Sequence, residues 1–277
     1  MHIGGPAPAK LEEILRLAAL SFALAAICLP AVAGEPYQPI KLKPAETVTP
    51  SQDLIDWATA FLDAVEKGNG DAIGAGIADK IVTVDGGLEL AISRHKETLG
   101  PFKTTEEKLT QLGYNTGGDL PVTADGSDVG RFAIGAAREF IVESMTARQA
   151  WGTDPMMPKG TVCTYAYRSF DAKAVKKLAD KLKIQSSSLF YVDAATEVLA
   201  TPDAKGTVAA TLQPDLLYAL DYDTDAPGRW IAVHLPEGGA GFVNFDKVEL
   251  QKPYASGVCF LKTKGGWQMV GQASTSL

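Results

Sequence analysis

GTVCTYAY at residues 160–167 and SGVCFLKT at 256–263 are two β-branched, aromatic runs, and each carries one cysteine, Cys163 and Cys259. Residues of this kind favour ordered strands over loop tips. If the two strands are neighbours, everything between them is an insertion. We expect the strand over 161–169 to share a sheet with 257–262 and 267–274, and a disulfide between the two cysteines to clip the base of that insertion. Closing a loop across 96 residues contributes roughly 4–5 kcal/mol in the loop-entropy description. The alternative is two buried free thiols acting as small hydrophobic side chains.

Which alternative holds depends on the compartment, because disulfides persist where the environment is oxidising. The first 33 residues read as an export signal: Lys10 and Arg16 precede the apolar run LAALSFALAAICL at 17–29, and Ala31-Val32-Ala33 offers a small-residue cleavage site before Gly34. The run is short of the ~20 residues a spanning helix needs. Glu12 and Glu13 weaken the positive leader, which leaves an uncleaved anchor as the alternative, and Cys28 lacks the preceding small residue of a lipidation site. The expected localisation is periplasmic or secreted, with no membrane span in the mature chain.

The 277-residue chain is 46% hydrophobic and 21% charged, with a formal net charge of −7. That composition provides a full globular core and suits two domains. It argues against nucleic acid as a partner, since phosphate binding calls for clustered Lys and Arg.

Residues 34–50, GEPYQPIKLKPAETVTP, hold four prolines without periodicity and read as an extended linker. From Ser51, a potential cap, Leu54, Ala58, Phe61, Leu62 and Val65 step at helical spacing as far as Gly68. Further helices are expected at 88–98, at 104–112 where Thr104 and Glu107 fit a capping box, at about 130–148, and at 171–183. DGG, NTGGD and ADGSD between them read as turns. The last helix, DAKAVKKLADKLK, sets Val175, Leu178, Ala179 and Leu182 on one face and Lys173, Lys176, Lys177 and Lys181 largely on the other. The simplest reading is a solvated basic face; the alternative is attraction to an acidic envelope polymer or anionic lipid.

After Ser186–Ser188 the texture changes to short strands spaced by turns, suggesting a small barrel or sandwich. The runs are EVLATPDAKGTVAATLQPD, LLYAL, Arg229-Trp230-Ile231-Ala232-Val233, the Pro236-Glu237-Gly238-Gly239 turn, Gly241-Phe242-Val243 and Val248-Glu249-Leu250. In that order they resemble a bacterial SH3 (SH3b) domain of exported proteins, over residues 188–250 only. The resemblance implies an SH3-like β-barrel that recognises cell-wall peptide, glycan or a protein partner. The chain departs from it at Glu197–Pro202, where the family opens with Asn-Val-Arg-Ser-Gly-Pro. On the implied barrel, Tyr218, Tyr222, Trp230 and Phe242 are the candidate ligand-binding residues, an aromatic wall suited to sugar rings or peptide stems. Beyond Pro253, Lys264-Gly265-Gly266 marks a closing hairpin, with 253–277 returning to the N-terminal domain.

Asp221, Asp223 and Asp225 alternate in DYDTDAPGRW. A calcium loop of the hand type also needs glycine at position six and glutamate at twelve; here those are Ala226 and Ala232, so we read a turn and expect no metal. No cofactor is expected either. His95 and His234 lack zinc-type spacing, Cys163 lacks the Asp-Cys-Ser-Gly setting of wall peptidases, and the glycine-rich stretches lack a phosphate-loop lysine. His95 reads as a helix-surface residue. No catalytic residue is assigned.

The sequence therefore predicts an α+β protein: signal peptide at 1–33, linker at 34–50, mixed N-terminal domain at 51–185, barrel at 188–250 and returning hairpin at 253–277. Its expected role is a non-catalytic envelope protein that binds peptidoglycan or an envelope partner. The alternative is an envelope hydrolase with the barrel as targeting module.

Overall fold

The computed structural model describes residues 35–85, 94–116, 129–147, 150–253 and 255–274. The export segment at 1–33, the ADGSD turn and the first half of the expected 88–98 helix lie outside them. The fold is mixed α+β. Among the described residues, five helices accompany two sheets.

The chain opens with β1 (Ile40–Lys41) and α1 (Gln52–Lys67), then the short α2 (Gly70–Gly76), β2 (Ile77–Asp85) and β3 (His95–Leu99). The expected first helix is present. Its spacing buries Leu54, Ala58, Phe61 and Val65, and Gly68 ends it at a φ of 69°, where the absence of a Cβ removes the left-handed penalty. Ser51 occupies the cap position without a side-chain cap bond. The expected helix over 88–98 is corrected at its second half: residues 95–99 run antiparallel to Ile81–Asp85, and edge pairing overrides the local helical spacing. His95 is thus an exposed strand residue.

Next come α3 (Thr105–Tyr114), α4 (Val129–Thr146), β4 (Val162–Cys163) and α5 (Ala172–Leu182). Thr104 Oγ1 accepts from the Glu107 N–H at 3.1 Å, and the Glu107 carboxylate accepts from the Lys103 N–H at 2.7 Å, so the capping box is offset by one residue on its return leg. The chain closes its first sheet with β11 (Gly257–Thr263) and β12 (Gly266–Ser274), after six strands of the other sheet. The sheet order is β3-β2-β12-β11-β4, with β2 parallel to β12. Helices α1 to α4 cover one face, where Phe61, Ile81, Leu112, Ile141, Phe260 and Met269 form the largest core. The other face holds a smaller cluster around Val84, Met157, Cys163 and Cys259. The two cysteines are register partners on β4 and β11 and are joined by a disulfide.

The second sheet comprises β5 (Leu189–Phe190), β6 (Thr196–Leu199), β7 (Val208–Leu212), β8 (Leu216–Leu220), β9 (Trp230–His234) and β10 (Ala240–Asn244), joined by β1. Its order is β1-β8-β9-β10-β6-β7, with β5 also on β8. Among the described residues no strand pair joins β7 back to β1, so the sheet is an open path and not a closed ring. Inward residues Val198, Leu212, Tyr218, Val233 and Val243 form one core.

The opposite face of β8 carries Leu217 and Ala219, and what covers them corrects the domain reading. From residue 35 on, the segment expected to be an extended linker packs against the fold. Tyr37 and Leu42 are buried with Val175 and Leu178 of α5 against that face. The Tyr37 hydroxyl donates to the His234 carbonyl at 3.0 Å, and Ile40 pairs with Leu217. Further on, Val48 N–H donates to Trp151 O and Thr153 N–H to Glu46 O. The segment is a strap that satisfies its backbone on both sheets, as buried backbone must. The boundary expected at 185 likewise falls inside one core, because α5 packs on the second sheet and not on the helices before it.

Candidate functional site

Strand alternation sorts the aromatic residues proposed as a wall. On β9 and β10, Ile231, Val233 and Val243 point into the core, so Trp230 and Phe242 point to the opposite face, where Trp230 sits across from Asn244. Leu199 pairs with Phe242 from β6 and extends that face. Trp230, Leu199 and Val248 wall an open cleft of about 460 Å³, with Asn244 and Ala204 also lining it. Residues 192–195 line it as well.

Of the four candidates, Trp230 alone lines the cleft. Phe242 shares its face, half-buried beside it. Tyr218 is corrected: at 2% exposure it is an inner-core residue, and its hydroxyl accepts from the Gln213 N–H at 2.7 Å. Facing the core side of β8, it cannot reach the outer surface. Tyr222, 73% exposed, stands on the aspartate loop and takes no part in the cleft.

The charged rim was missed in the sequence. Asp193, Glu197 and Glu249 line the cleft against the single ammonium of Lys247. All three are exposed; Asp193 is engaged by Arg168 at 3.6 Å, whereas Glu197 and Glu249 make no ion pair among the described residues. The available signal was Glu197, an acid beside buried Val198 on a strand whose other face is core.

The alternating aspartates make a turn. Asp221 Oδ1 accepts from the N–H groups of Asp223 and Thr224 at 3.0 and 3.1 Å, and Oδ2 accepts from the Thr224 hydroxyl at 2.8 Å. This is the local side-chain-to-backbone bonding that favours aspartate in turns. Among the described residues no three His, Cys, Asp or Glu side chains gather as a metal site.

A second polar cluster lies beside the disulfide. Asp154 is buried and its carboxylate takes both guanidinium nitrogens of Arg94, the Tyr165 hydroxyl at 2.7 Å and the Met156 N–H at 2.9 Å. Arg94 also lies over the Tyr167 ring, 3.9 Å from its centre. Burial, then the Asp154 charge, pushes the Tyr165 phenol well above its ordinary range. With four donors on one carboxylate, Asp154 has no spare lone pair aimed at solvent, so the cluster holds structure and does not offer a base. A third space, about 530 Å³ between α4, the strap and the second sheet, is lined by Arg168 and Lys252. Arg168 is committed to Asp215 at 2.5 Å, and Lys252 donates to the carbonyls of Ser187 and Leu189. Burial lowers the Lys252 pKa.

Fold and site together define an α+β protein with a surface cleft built from an aromatic wall and an acidic rim. No family model, curated protein or solved structure matches the chain. Among the described residues no helix is long and apolar enough to cross a membrane.

Proposed function

We propose that the protein is an exported, non-catalytic envelope protein whose second sheet is an SH3b-like module binding cell-wall peptide or glycan through the Trp230 cleft. The observation that carries this reading is the cleft itself: a flat aromatic wall at Trp230 beside the exposed carboxylates of Glu197 and Glu249. Such a wall suits a sugar ring or the aliphatic part of a stem peptide, and carboxylates suit the free amino groups that stem peptides carry. The Cys163–Cys259 disulfide supports maturation in an oxidising compartment. The meander of β8, β9 and β10 supports the SH3b-like reading.

The test is a pulldown on purified cell-wall sacculi. Wild-type protein is retained and Trp230→Ala is not, with zymography on the same material blank. Equal retention of the two proteins would overturn the reading.

A further inference from the structure

We infer that, in the form of the chain that keeps its N-terminal segment as an uncleaved anchor, the lysine face of α5 is a docking surface for an anionic lipid bilayer. Residues 171–183 carry five lysines and two aspartates, in a chain whose formal net charge is −7. Packing fixes which way they face. Val175, Leu178 and Ala179 are buried against the second sheet, so the apolar stripe is spent within the fold and Lys173, Lys176, Lys177 and Lys181 stand exposed. The face therefore acts through charge, without inserting apolar surface.

Its carboxylate neighbours leave it basic. Asp180 lies 3.6 Å from Lys176, and both groups are solvent-exposed, where such a pair is weak. Asp171 is used as the helix cap, accepting from Lys173 N–H and Ala174 N–H. Glu35 meets Lys181 at 3.3 Å. Lys173 and Lys177 make no ion pair among the described residues.

What selects a bilayer over a soluble acidic polymer is where the chain comes from. Lys181 also donates to the Pro36 carbonyl at 2.6 Å, so the first described residues lie on this helix. Tyr37 is then locked by its backbone N–H to Pro236 O and its hydroxyl to His234 O. The apolar run 17–29 ends eight residues before Tyr37. Eight residues span at most about 28 Å, so where the segment is retained as an anchor, a bilayer holding that run lies within reach of α5. Each lysine held near an anionic surface adds to the attachment that the retained apolar segment provides.

The test is flotation of the full chain with vesicles rich in phosphatidylglycerol or made of phosphatidylcholine alone. The variant is Lys173→Gln/Lys176→Gln/Lys177→Gln, which leaves the Lys181 contacts intact; a matching Lys→Arg variant preserves charge. We expect the glutamine variant to bind anionic vesicles roughly tenfold or more weakly than wild type. The arginine variant keeps the affinity, high salt erases the difference, and neutral vesicles show none. An unchanged thermal midpoint certifies the fold. Equal flotation of wild type and glutamine variant on anionic vesicles overturns the inference. So does lysine-dependent retention on a soluble acidic wall polymer with none on vesicles.

Discussion

Cys163 stands directly across from Cys259 in the antiparallel pairing of β4 with β11, and the bond between them joins the edge of the first sheet to its interior. Everything from α5 to β10 is threaded between these two residues. Because the bond closes a separation of 96 residues, it restricts the unfolded chain by roughly 4–5 kcal/mol in the loop-entropy description. The Cys163→Ala/Cys259→Ala variant, or wild type in reductant, is expected to lose 2–5 kcal/mol or so of unfolding free energy. Urea denaturation reads this directly, and an unchanged midpoint would show that the clip does not constrain the chain.

Arg94 and Asp154 are predicted to matter more as partners than as a pair. Their side chains are 8% and 0% exposed, so removing one leaves the other charged and dry. Asp154→Ala should cost about 3–5 kcal/mol, while replacing both with apolar residues of similar volume costs far less. The control is Lys67→Ala, which breaks an exposed helix pair with Asp63 and should change stability by less than about 1 kcal/mol. A double-mutant cycle in urea gives the coupling, and Asp154→Ala behaving like Lys67→Ala would refute the argument.

These features show what the sequence could disclose. α1, α3 and α5 were legible because each is amphipathic, burying one side on a core and exposing the other, and the cysteine pair was legible because both sit in β-rich runs. β2 was not. Its last four residues before Asp85 are buried in a row, because a central strand with packing on both faces loses alternation. The strap at 37–48 was misread because prolines suppress periodicity, while Tyr37 and Leu42 are held by partners far away in sequence. At the site, Trp230 could be named from its type, but whether Tyr218 shared its face depended on the register of β8, which turns it inward. Glu197 and Glu249 share the cleft only because the second sheet sets β6 beside β10 and the segment that follows it, and one strand's pattern carries no record of that.

Two glycines should respond to alanine with opposite signs. A Cβ on Gly113 would lie 1.9 Å from the Ala133 carbonyl oxygen, at the close crossing of α3 and α4. Gly113→Ala must push the helices apart and should cost about 1–3 kcal/mol, outweighing its helix-propensity gain. A Cβ on Gly135 meets nothing within 4 Å, so Gly135→Ala should stabilise by up to about 1 kcal/mol. Thermal midpoints moving in the same direction would contradict this.

Alkaline pH should unfold the protein through its buried phenols. Burial pushes Tyr37 and Tyr165 above the ordinary value of 10.0. In the unfolded chain both ionise near that value, and in the folded one they stay protonated. Above it the unfolded state binds fewer protons, so stability is complete below about pH 10 and falls as pH rises further. Urea midpoints measured from about pH 8 to about pH 11 should decline most steeply at the top. Tyr165→Phe should be less stable at the lower end, having lost a donor to Asp154, yet show a shallower decline. A decline as steep as wild type would mean that Tyr165 is not part of the linkage.

The cleft's charge can be tested apart from its wall. Glu197 and Glu249 are exposed on the rim, so neutral isosteres there should leave the unfolding free energy within about 0.5 kcal/mol of wild type. Under the proposed function, Glu197→Gln/Glu249→Gln should still weaken binding of an amine-bearing wall stem peptide, since charge-assisted hydrogen bonds are the stronger kind. The loss should be largest at low salt and vanish when the peptide's amines are acetylated. Tyr222→Ala, on the solvent-exposed aspartate loop, should bind as wild type does. Calorimetric titration measures wild type, these two variants and Trp230→Ala. If the glutamine variant matches wild type at low salt while Trp230→Ala fails to bind, the ligand is recognised by its apolar body alone, and a glycan ring becomes the better occupant of the cleft.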